Sequence, residues 1–246
     1  MNYNEKSLLH LENRALAIMN NIYVQHILNN KKLSDLESEL RNNTLLNPVF
    51  NKIARLGVTD AIYYIGREHY PLFGSKKEEK DIELFDYTIA YFLFFAEESM
   101  RTSAVKSAEL GISRRVAYEI YGSAATNRAV RTMSNALYNK AMKKTYDFVG
   151  VEFFRFQAII DNRTSEVCRE MNGQILTSNN VSSWTPPLHP HCRSRLVPVK
   201  RENVDNNKLF KNYISSPLQN KVNWFKQSYK FNLDNINMTE IMQSYL

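Results

Sequence analysis

The sequence predicts a predominantly helical α+β protein, with a helical N-terminal region, a small three-stranded α+β module and a C-terminal arm. Three observations carry this reading. No proline occurs between Pro71 and Pro186, and over most of that span apolar residues recur every three or four positions, which lines one face of a helix. At residue 151 the period changes, and "VEFFRFQAII" alternates and is rich in aromatic and β-branched residues, as a strand requires. Beyond it, Asn-Gly and proline turns separate short apolar runs. The 246 residues suffice for one large domain or two small ones, and a hydrophobic share of 43% excludes a disordered chain. The expected segments are 1–122, 123–199 and 200–246.

The elements follow in order. "SLLHLENRALAIMNNIYVQHIL" places Leu8, Leu11, Ala15, Ile18 and Ile22 on one helical stripe, and His10 and His26 carry no assigned role. The stretch from Asn42 to Gly74, interrupted by Pro48, Gly57, Gly66 and Pro71, predicts short helices with turns. "SKKEEK" reads as charged surface, and residues 81–109 as a largely buried aromatic helix ended by Gly111. "SRRVAYEIYG" predicts a short helix closed by Gly122. In the next helix Val130, Met133, Leu137, Ala141 and Phe148 share one face, Arg128, Arg131 and Lys143 the other, and Gly150 stops it. In the first strand Phe154, Phe156 and Ala158 face one side. Asp161 or Thr164 is placed to cap a short helix that leaves through Asn172-Gly173. "QIL" begins a second strand, "TSNNVSSWTPPLHPHC" is a loop, and "RLVPV" is a third strand, put at an edge by Pro198. The last 46 residues predict either one or two short helices or an extended arm.

Charge is placed unevenly. Residues 101–155 hold ten Lys/Arg against four Asp/Glu, whereas residues 1–100 hold eleven against fourteen. A basic middle segment suits phosphates or an acidic protein surface, and equally a solvated helix face. The longest apolar run, "IAYFLFFA", is far short of the ~20 residues that span a bilayer, so the sequence reads as that of a soluble protein with no membrane partner. Two cysteines make no disulfide framework and fit a reducing compartment, with a Cys168–Cys192 bridge as the alternative.

The chemistry concentrates in two places. Cys168 follows the first strand, and His189, His191 and Cys192 precede the third, so pairing those strands gathers thiols and imidazoles in the numbers that tetrahedral zinc takes. The spacing C-x20-H-x-H-C matches no common zinc pattern. The alternatives are a catalytic Cys–His pair, a metal-dependent nuclease on a basic surface, or a rigid turn with two buried thiols. H-E-x-x-H, G-x-x-x-x-G-K-[ST] and the zinc-deaminase signature are absent. No acid lies within 184–195 to serve as a base. No catalytic residue is assigned, and the protein reads as a non-enzyme. Asp161 with Arg163 reads as a pair fixing a tight turn.

"FRFQAIIDNRTSEVCREMNGQIL" followed by "PPLHPHCRSRLVPV" resembles the C-terminal domain of the phage Mu F-like minor head proteins, or head morphogenesis proteins. Asp161, Arg163, Thr164, Cys168, Gly173, Pro186, Pro187, His189, Pro190, Cys192, Arg193 and Pro198 fit the family pattern, and upstream Arg131, Thr132, Tyr138 and Asn139 resemble its R-T and Y-N helix. Relatives often have thiols where this chain has Ser165 and Ser194, and Glu where it has Met133; His191, or alternatively Asp161, is a substitute ligand. The resemblance implies a structural virion protein present in several copies in the head interior or at the portal, and in host cytoplasm during assembly. It implies contact with portal or major capsid protein and with DNA; independently, the basic helix face of Arg128, Arg131 and Lys143 is placed to meet DNA without reading its sequence, or else an acidic portal or capsid surface. It also implies a zinc site at Cys168, His189, His191 and Cys192, and a structural turn of Asp161, Arg163, Thr164 and Gly173.

Overall fold

The computed structural model describes residues 3–29, 31, 33–67, 86–210 and 214–229. The elements are α1 (Tyr3–Leu28), α2 (Leu33–Arg41), α3 (Leu46–Arg67), α4 (Asp86–Leu110), α5 (Arg114–Ala117), a π-helical turn (Tyr118–Gly122), α6 (Ser123–Phe148), β1 (Phe153–Gln157), α7 (Glu166–Met171), β2 (Ile175–Thr177), α8 (Val181–Trp184), β3 (Arg195–Val199) and α9 (Ser216–Tyr229). The protein is therefore mainly helical with one small antiparallel sheet, as the periodicities predict. No helix among the described residues is long and apolar enough to cross a membrane. The "SKKEEK" stretch, residues 81–85 and the end of the arm lie outside the described residues, as do the side chains of 86–95 on which the buried aromatic face was expected.

The chain forms two compact units, one from 1–53 with 83–134, the other from 54–82 with 135–246. In the first unit, Ala15, Met19, Ile22, Tyr23 and Ile27 of α1 are buried, whereas Leu8, Leu11 and Ile18 are only half-buried. The core stripe is thus rotated from the expected one. His10 is exposed, and buried His26 bonds through Nε2 to Glu39 at 2.9 Å.

Three glycines read as breakers, Gly57, Gly66 and Gly122, lie inside continuous helix. Gly122 does not close a helix: Ser113 caps α5, accepting from the Val116 N–H, and the chain runs through the π turn straight into α6. A Cβ at Gly122 would lie 2.9 Å from the Ser99 carbonyl oxygen and 2.5 Å from Ser103 Oγ, so glycine permits close approach to α4. The Ser99 hydroxyl donates to the Gly122 carbonyl at 2.9 Å across that contact. Likewise α3 is one helix rather than several. Pro48 falls in its first turn, where the missing N–H has no helical partner to lose. Gly57, of the second unit, faces the Tyr138 carbonyl and the Ala141 methyl of α6.

In the second unit the strand order is β2-β1-β3, with β3 at an edge as Pro198 predicts. Phe154 pairs with Leu176 on one side and Pro198 on the other. Phe154 and Phe156 are fully buried, with Tyr146 of α6 packed on Phe154. Val130, Met133, Leu137 and Ala141 are buried as expected, but Phe148 is 46% exposed because α6 ends there, just before Gly150 at φ +72°. The predicted loop before His189 contains the short α8, whose Trp184 is buried and packs edge-on against Phe210.

Candidate metal centre

The turn after β1 is built by its own side chains. The Thr164 hydroxyl donates to the Ile159 carbonyl at 2.6 Å and accepts from the Asp161 N–H at 2.8 Å, while Asp161 Oδ1 accepts from the Arg163 N–H at 2.9 Å. Neither Asp161 nor Thr164 caps α7. That role falls to Ser165, whose Oγ accepts from the Cys168 N–H, because Asp161 and Thr164 are engaged within the turn. Gly173 leaves α7 at φ +83°, the left-handed conformation foreseen for it.

Asp161 has a stronger partner than the neighbouring Arg163, whose side chain is 76% exposed with its Nη2 3.8 Å away. Arg193 grips the carboxylate with both guanidinium nitrogens, at 2.6 and 2.8 Å. Arg169 of α7 donates to the Asp161 and Thr164 carbonyls. The D-x-R-T turn is thereby tied to the loop before β3, a link of 32 residues in sequence.

The Arg193 hydrogen bonds outweigh desolvation and, with the Arg163 N–H, the Arg193 charge and the Thr164 hydroxyl, hold the Asp161 carboxyl well below the usual carboxylate range. A depressed folded value means the contribution to stability is present above the unfolded value and is lost as pH falls through the folded one. Asp161→Asn is therefore expected to lower the thermal midpoint at pH 7, and its deficit against the native protein is expected to shrink below about pH 4. Thermal unfolding between pH 2 and 7 checks this.

The loop brings two of its members to Cys168. Cys168 Sγ lies 3.2 Å from His189 Nε2 and 3.8 Å from Cys192 Sγ, and the three donor atoms all fall within 4.8 Å of one another. Both thiols are buried and neither forms a disulfide. His189 Nδ1 is 2.7 Å from the Pro190 carbonyl, which can only accept, so Nδ1 carries the proton and Nε2 faces the sulfurs. Burial pushes the Cys192 thiol up, but hydrogen bonds from Cys168 and His189 and the charge of His189 outweigh it and hold Cys192 below the ordinary thiol range. Cys168 is raised, first by its hydrogen bond with Cys192 and then by burial. The pair thus favours one thiolate, on Cys192.

The donor set suits zinc. A tetrahedron of ~2.3 Å Zn–S bonds separates two thiolates by about 3.8 Å, the spacing seen here, and an imidazole with its far nitrogen held by a carbonyl is a usual third ligand. Cys168, His189 and Cys192 would hold the ion. The fourth neighbour is Ser194, whose buried hydroxyl lies 3.2 Å from Cys168 Sγ. His191 is not brought in: it sits at φ +59°, and this left-handed turn leaves it exposed.

The helix motif upstream supports the same loop. Asn139 and Asn135 both donate to the Ser194 carbonyl, at 3.0 and 3.2 Å, and the Tyr138 hydroxyl donates to buried Asp60 of α3. Arg193, Ser194 and Asn135 were not singled out from sequence as site residues. The pairing of a Y-N helix with the box was the available signal. Of the expected contact residues, Arg128 pairs with Glu98 at 3.1 Å and Arg131 with Glu12 at 2.9 Å, both in the first unit, whereas Lys143 pairs with Asp147 in the second.

Residues 105–197 match the family described as phage Mu protein F like protein. The match begins inside α4 and ends in β3, so it includes Tyr138, Asn139, the D-x-R-T turn and the metal-ligand candidates. No curated protein and no solved structure matches the chain.

Proposed function

We propose that this chain, whose residues 105–197 form a phage Mu F-like head morphogenesis domain, is a minor head protein of a tailed bacteriophage. It acts at the portal vertex during head assembly, in the virion interior and, before that, in host cytoplasm. The observation that carries this is the family match together with what the matched residues do. Asp161, Arg193, Cys168, His189 and Asn139 join a turn, a loop and a helix to one another, which is scaffold work rather than the layout of nucleophile, base and oxyanion donor that acyl-transfer or hydrolytic catalysis calls for. Zinc at Cys168, His189 and Cys192 would fasten α7 to the loop before β3 as a structural ion. The basic excess over residues 101–155 supports non-specific contact with packaged DNA.

Co-expression with the portal protein of the phage that encodes the chain tests the reading. The expected result is a single complex by size-exclusion chromatography that survives moderate salt. Separate elution from both the portal and the major capsid protein would contradict it.

A further inference from the structure

The second unit also holds a cavity of about 390 Å³, walled by Lys140, Lys143, Lys144, Asp147, Lys226 and the Pro186–Pro187 pair. Lys140, Lys143, Lys144 and Asp147 stand at i, i+3, i+4 and i+7 of α6, hence on one face. Lys226 joins them from α9. All four lysines are half-buried, their alkyl stems covered.

Their positions are built rather than incidental. The Lys226 ammonium donates to the Thr185 carbonyl at 3.0 Å and the Ser182 carbonyl at 3.4 Å, which holds it against the loop. Lys143 is gripped by both oxygens of Asp147, at 2.6 and 2.7 Å, with its Nζ over the Phe154 ring. Four lysines and a single carboxylate, Asp147, thus line one concavity. Burial lowers Lys226 to about 8; the charge of Cys192 opposes this, and the positive charge of Lys140 adds a smaller lowering. A concave, partly dry wall of one sign focuses its field on an anion, and a bound anion offsets the mutual repulsion.

The chemistry of that anion follows from the donors. No guanidinium fork is present among the lining residues to grip a flat carboxylate, whereas separate ammonium point charges around a hollow suit a tetrahedral phosphate carrying more than one negative charge. We propose that this cavity is a phosphate-binding site formed by Lys140, Lys143, Lys144 and Lys226, with the Pro186–Pro187 half of the box as its wall. The proposal rests on the head-protein reading only for the source of the phosphate, which is the DNA backbone if that reading holds and a free phosphate otherwise. One box would then serve two sites, holding the thiol–imidazole cluster at its end and the phosphate wall at its start.

The test uses the full chain, a labelled 20-base-pair duplex of arbitrary sequence followed by anisotropy, and pyrophosphate followed by calorimetry. The variant K140Q/K144Q is compared with K6Q/K52Q, which removes the same charge from exposed positions in the first unit. The expected result is at least tenfold weaker duplex binding in K140Q/K144Q, with a salt slope shallower by about two, and less than threefold change in K6Q/K52Q. On the native protein, pyrophosphate is expected to protect Lys140 and Lys144 from acetylation read by mass spectrometry, which needs no variant to fold. Binding and protection by pyrophosphate without duplex binding would uphold the cavity and defeat the DNA reading. Duplex binding equally strong in K140Q/K144Q, with no protection by pyrophosphate, would overturn the cavity and leave the DNA reading standing. Absence of binding by both ligands to the native protein would overturn the cavity as well.

Discussion

With zinc held as proposed at Cys168, His189 and Cys192, Cys192→Ser is expected to abolish its binding and to lower the thermal midpoint by on the order of 10 °C, which is ~3–4 kcal/mol for a chain of this size. Serine cannot supply the thiolate that Cys168, His189 and the loop backbone around Cys192 favour. The loss is smaller than the ~10–16 kcal/mol apparent zinc contribution in finger peptides, because the sheet keeps its own core of Phe154, Phe156 and Leu196. A chelator is expected to bring the native protein down to the midpoint of the variant and to leave the variant itself unmoved. Ser194→Cys places a thiol where a hydroxyl lies 3.2 Å from Cys168 Sγ, and is expected to slow zinc loss to a chelator at least tenfold. If the protein, purified with zinc in the medium, contained less than a tenth of an equivalent by atomic emission, the three residues would be holding the loop without an ion.

Gly57→Ala is expected to destabilise the protein by about 1–3 kcal/mol, although helix propensity alone predicts a gain of about 1 kcal/mol at a helix interior. The sign is decided by space. The added methyl would meet the Tyr138 carbonyl, which is backbone and cannot swing aside, and would lie 3.2 Å from the Ala141 methyl. Relief requires α3 and α6 to separate locally, which disturbs the bond from Tyr138 to Asp60. Burial and the Asp60 charge raise the Tyr138 phenol well above its ordinary range, so that hydroxyl stays a donor throughout the working pH range. Urea denaturation of the variant beside Gly66→Ala, near the end of the same helix, checks the point, and a stabilised Gly57→Ala would refute the close approach.

The parts of this architecture legible in sequence are those fixed by local period and composition. Phe154 and Phe156 alternate onto one sheet face, Pro198 marks an edge, Gly173 takes the left-handed turn foreseen for it, and α6 ends just before Gly150, which was read as its stop. Pairing of β1 with β3 was enough to gather Cys168, His189 and Cys192. What escaped depends on partners far along the chain. Gly57 and Gly122 look like breakers until the helices they touch are known, and Asp161 looks paired with Arg163 until Arg193 arrives from across the sheet. His191 looked like a ligand by spacing, but its left-handed backbone leaves it exposed, and it is Ser194 whose hydroxyl lies 3.2 Å from Cys168 Sγ. The lysine face of α6 was readable at i, i+3 and i+4, but Lys226, which closes the cavity, comes from α9.

The central claim, that this is a structural component of a phage head, is tested most directly by quantitative mass spectrometry of gradient-purified heads from the phage that encodes the chain. The account predicts that the chain is present in full-length form, at a few copies to a few tens per particle, and that it is retained with the portal when the shell is dissociated. Absence of the chain from mature heads and from assembling precursors alike would contradict it.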